Sequence, residues 1–363
     1  MGHAGGAAPA LTSRTRATAP TAPAIEDDRV AVMTGDYNRA MAVLSRREFG
    51  GVIAGAPLAA AMASARLFAS EVPLGVSTAS FRDLARVPGR DNLDDIIRAV
   101  QAVRATHIEL AFANLEPAPP SMAPVMGGSA AYPRRIVMTP EEIAATDSAA
   151  RAALRAWRIE TPDTVFEQMR ARLAQARVTV HACALAYNDS FSDDEIDRTF
   201  RQARALGVTT VSSPLTMAMA RRLVPFAQRH QVSVAIHNQA DGNPGRAIDT
   251  PALKDALALS PAFTLKLDIG NLTASNRDAV AELREYRSRV SHVLVRDRLR
   301  NGGASQLFGE GDTPIKNVLA ALRSAPPAIP ALIEYDYVGL RSSVDELKAS
   351  LAFCRAAVVT TSR

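Results

Sequence analysis

The chain has 363 residues, 47% apolar and 22% charged, which is the balance of a globular protein and not of a disordered, collagen-like or disulfide-scaffold chain. Its formal charge is +5, but only four of the 42 basic residues are lysines and the arginines are scattered, so the basic stripe that nucleic acid requires is missing. Cys183 and Cys354 are too few for a zinc ribbon, and no apolar run reaches the roughly 18 residues of a membrane-spanning helix.

The first 45 residues are rich in Ala, Thr, Pro and Gly and show no apolar period. They read as disordered, with residues 1–40 an extension or a mis-assigned start. Ser45-Arg46-Arg47-Glu48-Phe49 then precedes the mildly apolar run Gly50–Ala65, which ends in small residues such as Ala63-Ser64-Ala65. Paired arginines, a Gly/Ala-rich stretch and an A-x-A-like site occur in the order of a twin-arginine export signal, here over residues 41–69. The expectation is a periplasmic or secreted protein; the plainer alternative is an Ala-rich helix with two surface arginines.

From Leu74 onward one rhythm repeats: a short β-branched or apolar run, then an amphipathic helical segment. The runs are Leu74–Phe81, His107–Asn114, Val178–Leu185, Val208–Leu215, Val232–Gln239, Thr264–Asn271, Val290–Asp297 and Ala331–Tyr337. Helical segments between them include Leu93–Val103, Asp194–Leu206, Thr216–Arg229, Pro251–Leu259, Arg277–Arg287 and Ile315–Leu322. Eight such units predict an α/β fold, one (β/α)8 TIM barrel over residues 70–363. A doubly wound open sheet is the rival, but no G-x-G-x-x-G follows the first strand.

The second connection is too long. About 60 residues separate the second and third strands, where a βα unit needs far fewer. The helix before the third strand is predicted over Thr161–Ala176, with Thr161 as N-cap and Pro162 at the first helical position. That leaves Leu115–Glu160 as an insertion containing a helix around Asp147–Arg158 and the only tryptophan, Trp157. A βα insertion emerges at the C-terminal face, where barrel active sites lie, so it reads as a lid or specificity wall, against a decorative loop.

Polar residues collect at the strand ends: Glu109 on the second strand, His237 and Gln239 on the fifth, Asp268 on the sixth, Arg296-Asp297 on the seventh, and Glu334 and Asp336 on the eighth. Side chains alternate faces, so His237 and Gln239 point together, as do Glu334 and Asp336. A histidine and two carboxylates on neighbouring strands could hold a divalent metal; lone strand-end acids are more often helix caps or ion pairs.

Seven segments carry a resemblance: "LGVSTASF", "HIELAFAN", "VAIHNQ", "LKLDIGN", "HVLVRDR", "FGEGDTPI" and "LIEYDYVG". Together they are similar to the sugar phosphate isomerase/epimerase group of xylose-isomerase-like TIM barrels. The likeness runs from Leu74 to the C-terminus and is strongest to an exported, twin-arginine branch with the second-loop insertion, through Arg155–Arg158 and Asn188–Phe191. The resemblance implies a divalent metal (Mn, Mg or Zn) held by His237, Asp268 and Glu334. It also implies acid–base carboxylates beside a sugar carbonyl, and association into a homo-oligomer.

The chain departs from that pattern in three places. Leu294 stands where relatives have a metal-binding histidine, Gln239 ends the fifth strand, and Asn271 replaces the histidine of Asp-x-x-His. Leucine cannot ligate, and the amides offer only a neutral oxygen, so a metal is in question. Lys266, two residues before Asp268 on the same face, is expected to reach Asp268 and Glu334 and replace the metal's charge. The plainer alternative is a lysine that pairs with a neighbouring-strand acid deep in the barrel and has no bearing on a metal. His292 shares a face with Leu294 and would reach the site only through a register change.

The candidate catalytic residues are therefore Glu334, Lys266 and Glu109. The candidate substrate contacts are Arg296, Gln239, Asn271, Trp157, Glu310 and His181, the last equally readable as a core histidine. Three readings stay open: an isomerase or epimerase on an unphosphorylated sugar or glycoside, a lyase on 3-keto-glycosides using the same proton abstraction, and a degenerate sugar-binding barrel. The expected partner is a small-molecule sugar, with no nucleic acid and no membrane beyond the export signal.

Overall fold

The structure is a computed structural model that describes residues 71–86, 90–117, 140–241, 247–337, 339 and 341–360, together with two short strands near the N-terminus. The chain divides into two units, Met1–Leu67 and Phe68–Arg363. In the first, Arg29–Val32 pairs antiparallel with Ala42–Ser45. Val30, Val32, Val43 and Leu44 supply the β-branched and apolar character of these two strands, and the rest of the first 45 residues, read from the sequence as disordered, lies outside the described residues. The Arg46-Arg47 pair and Gly50–Ala65 lie outside the described residues.

In the second unit the expected barrel closes. Its strands are β1 (Leu74–Ser77), β2 (His107–Ala111), β3 (Thr179–Ala184), β4 (Thr210–Ser213), β5 (Ser233–His237), β6 (Phe263–Asp268), β7 (Val290–Val295) and β8 (Ala331–Ile333). All pair in parallel in chain order, and β8 closes on β1. The helices are α1 (Leu93–Ala102), α2 (Pro140–Glu160), α3 (Asp163–Gln175), α4 (Asp193–Ala205), α5 (Met217–His230), α6 (Leu253–Ala258), α7 (Ile269–Ala274), α8 (Ala279–Tyr286), α9 (Ile315–Arg323) and α10 (Ser343–Thr360). None of the described helices is long and apolar enough to cross a membrane.

Local chemistry sets the helix starts. Ser192, Thr216 and Asp278 each accept a hydrogen bond from a backbone N–H of the first turn of α4, α5 and α8, filling donors that the helix leaves open. Two boundaries differ from expectation. Thr161 does not cap α3; its hydroxyl donates to the Trp157 carbonyl and closes α2, while Pro162 takes the N-cap position. The sixth strand stops at Asp268, whose carboxylate accepts from the Asn271 N–H at 2.9 Å and starts α7. An apolar run continuing through Ile269 hid that change of period.

The main core lies between strands and helices, with Phe112, Phe166, Phe200 and Phe263 among its largest buried side chains. The barrel interior is different. Inward positions in register carry Ser77, Glu109, Ala182, Ala184, Ser212, Ala235, Lys266 and His292, so small residues leave room for a few long polar ones. Gly75 belongs to this crowding, because a Cβ there would collide with the backbone carbonyl of His107. Two bulges re-aim side chains: register skips His181 on β3 and Ser291 on β7. The second of these puts His292 level with Lys266.

Candidate functional site

Two charged layers occupy the barrel axis. In the deeper one, Glu109 is fully buried, and Lys266 Nζ on the opposite strand donates to its Oε2 at 2.7 Å. Ser77 Oγ donates to the same oxygen at 3.1 Å. Ser212 Oγ and His292 Nε2 donate to Oε1 at 2.6 and 3.1 Å. Burial alone would push the Glu109 carboxyl up, but the Lys266 charge and the His292 hydrogen bond outweigh it and hold it well below the usual range. Lys266 is thus spent on Glu109. The expectation that it reaches Asp268 and Glu334 is corrected, because the ammonium turns inward along the barrel to the nearest buried anion.

The upper layer, at the C-terminal ends of the strands, is built on Arg296. One of its terminal nitrogens, NH2, pairs with Asp268 Oδ2 and donates to Asn271 Oδ1 at 2.8 Å. The other, NH1, donates to Asp336 Oδ2 at 2.5 Å and lies 3.9 Å from Glu334 Oε1. His237 Nε2 donates to Asp268 Oδ2 at 2.9 Å. Asp268 is further fixed by its neighbour: Asn238 accepts from the Asp268 N–H at 2.7 Å and donates back to its carbonyl. Burial opposes ionisation of Asp268, yet the Arg296 charge and the His237 bond hold its carboxyl far below the ordinary range. Burial and the nearby Lys266 charge lower His237, so the imidazole is neutral at pH 7. Buried Nε of Arg296 and Oδ1 of Asp336 have no hydrogen-bond partner among the described residues.

The predicted residues therefore separate. His237, Asp268, Arg296 and Glu334 come together at the mouth, and Glu109 and Lys266 lie below them. Asn271 is buried and braces the cluster, donating to the Asn238 carbonyl while accepting from Arg296 and from Arg298. The Gln239 side chain donates to the backbone carbonyls of His237 and Asn238, and Glu310 is exposed on its turn. The side chain of His181 sits 2.9 Å from that of His107, which favours the core reading. Trp157 packs edge-on against Phe166, 5.9 Å between centroids, so it serves the α2–α3 contact. Sequence reasoning missed Arg298, Asn238, Ser77 and Ser212. The small hydroxyl residues gave no signal, because only closure brings them around Glu109.

The insertion is anchored rather than loose where it is described. Arg158 on α2 is buried and pairs with Glu116 and Glu195, both at 2.6 Å, and its guanidinium lies 4.6 Å over the Phe191 ring. Arg151 also pairs with Glu195, and Arg151 and Arg155 both donate to the Ser190 carbonyl. The two segments quoted for the exported branch, Arg155–Arg158 and Asn188–Phe191, thus meet in one latch.

The resemblance read from the sequence implies a divalent metal, but the residues do not fit one. Leu294 is buried beside Asp268 in register, where a nitrogen donor would be needed. Both oxygens of Asp268 are committed, one to the start of α7 and one to His237 and Arg296. A permanent cation already stands between Asp268, Glu334 and Asp336. Among the described residues no three His, Cys, Asp or Glu side chains are grouped to hold a metal ion.

Comparison with solved structures agrees with the topology. The structure of L-ribulose 3-epimerase is similar over 80% of this chain and 95% of its own, with a TM-score of 0.54 and 11% identity. The chain has the xylose-isomerase-like TIM-barrel fold. The same fold is shared with 3-keto-D-glucoside 4-epimerase YcjR from E. coli (TM-score 0.50, 12% identity, 79% of this chain and 100% of that one). It is shared too with the IOLI protein, solved with a zinc atom (0.52, 11%, 79% and 98%). No family model matches the sequence, and no curated protein matches it.

Proposed function

We propose that this xylose-isomerase-like barrel is a sugar-modifying enzyme that moves a proton next to a carbonyl of an unphosphorylated sugar or glycoside, in isomerase or epimerase fashion. The observation that carries the reading is the gathering of Asp268, Glu334 and Asp336 around the Arg296 guanidinium at the barrel mouth. Glu334 is the proposed base: its carboxylate has no hydrogen bond among the described residues and stands 3.9 Å from the cation. A carboxylate with a free lone pair can take the α-proton, and a fixed guanidinium stabilises the enediolate oxygen that results. Three carboxylates in the mouth also disfavour a phosphorylated substrate. The neighbours that act on ketoses and on a 3-keto-glucoside support a sugar as ligand. The Arg46-Arg47 pair supports export, and with it an unphosphorylated substrate.

The test is deuterium exchange. Purified protein is incubated in D2O with ketoses, aldoses and 3-keto-glycosides and followed by NMR. Exchange at the α-carbon, lost in Glu334→Gln, is the expected result; exchange with release of the aglycone assigns β-elimination instead. A second reading, a sugar-binding barrel without turnover, is favoured by the same arginine filling the mouth. Saturable sugar binding with no exchange on any of these substrates selects it.

A further inference from the structure

We infer that Arg296 is the resident cation of this mouth in place of a divalent metal, and that its charge is what keeps a dication away from the carboxylates of Asp268, Glu334 and Asp336. The inference deepens the proposed reading by naming the cation that the site uses, and it rests on geometry. One guanidinium faces carboxylates from β6 and from the chain just beyond β8, while itself projecting from the end of β7 between them. Its carboxylate contacts run through the two terminal nitrogens, and its buried Nε has no partner, so charge rather than a full set of hydrogen bonds holds it.

A dication among the same carboxylates would lie within a few ångströms of this positive charge in a partly buried site, where like charges repel. His237 stands beside them, its Nε2 spent on Asp268 Oδ2 at 2.9 Å. Without the arginine, the three carboxylates would keep only the more distant charge of Arg298, which donates to Asn271 and not to them, so their attraction for a dication would rise. Leu294 lies level with Asp268 and with Leu332 across the adjoining strands, so a histidine there would add a further donor from β7. The resemblance alone reads the absence of that histidine as a loss; on this inference one cation takes the place of another, with the charge supplied two residues further along, just past the end of β7.

The experiment reads metal and not turnover, so it stands or falls apart from the proton transfer proposed above. Mn2+ and Zn2+ are titrated into the full chain by calorimetry, and metal content is measured after dialysis. The wild type is expected to retain no stoichiometric metal. Arg296→Met is expected to bind about one equivalent at least ~100-fold more tightly than the wild type. Leu294→His alone is expected to stay metal-free, because the arginine remains, whereas Leu294→His combined with Arg296→Met binds more tightly than Arg296→Met. Arg296→Gln, closer in polarity, serves as a second variant with folding checked by circular dichroism. One equivalent of metal in the wild type that Asp268→Asn removes would overturn the inference; so would folded Arg296→Met and Arg296→Gln proteins that both bind none.

Discussion

Lys266→Met offers a direct measure of what the deeper charged layer contributes. The pair is 2.7 Å apart, with Glu109 fully buried and Lys266 nearly so. At an effective dielectric of ~20 their attraction is about 6 kcal/mol, of which desolvation of both groups consumes a part. Removing the lysine leaves a buried carboxylate held only by Ser77, Ser212 and His292. Its escape is to take up a proton. From the ordinary glutamate value of 4.5, protonation at pH 7 costs about 3.4 kcal/mol, and at pH 5 only about 0.7. The expected loss of unfolding free energy is therefore about 3–4 kcal/mol at pH 7, within the range found when one member of a buried pair is deleted.

The pH dependence has a definite sign. In the wild type the Glu109 value is depressed, so its contribution is complete above pH 4.5 and fades only as pH falls further toward the folded value. In Lys266→Met burial raises it, so the variant loses stability as pH rises above 4.5. Urea titrations from pH 5 to 8 should show the gap between the two proteins widening with pH, and Glu109→Gln combined with Lys266→Met should recover most of it. A loss below about 1 kcal/mol at pH 7, or a gap that does not change with pH, would refute the reasoning.

Two further expectations concern the insertion and the histidines. Arg158→Ala strands the buried Glu116, while Glu195 keeps Arg151, and should cost about 3 kcal/mol while accelerating amide exchange in α2 before the barrel strands; unchanged exchange in α2 would show that the latch does not hold the helix. Burial, with the His107 and His292 charges, pushes His181 down to about 4, so its NMR titration should leave it neutral throughout pH 5.5–8. The unfolded chain takes up the proton that native His181 refuses, so the contribution of this residue falls as pH drops from about 6.5 toward 4. A midpoint above 6 would place His181 in a wetter setting than the structure gives it.

The fold was legible because its signals are local. Alternation within eight short runs and apolar helical periods between them depend only on neighbours a few residues apart, and they survive misplaced ends such as those of Thr161 and Asp268. Part of the site was equally open to reading: His237, Asp268 and Glu334 stand at strand ends, and any closed barrel brings strand ends together. The role of Lys266 was not, since its partner Glu109 lies on the opposite wall and depends on the width of the barrel. The place of His292 turned on a bulge at Ser291, which no local pattern announces.

What the sequence by itself determined is the architecture, the set of chemically capable residues at the mouth, and the missing histidine at Leu294. What only the tertiary structure decided is which charge answers which. Lys266 and Arg296 are both cations near Asp268 in sequence and register, but the ammonium points down the axis to Glu109 while the guanidinium reaches across the mouth to three carboxylates. Electrostatic pairing follows distance through space, and in a closed barrel the shortest distances join strands that are far apart along the chain.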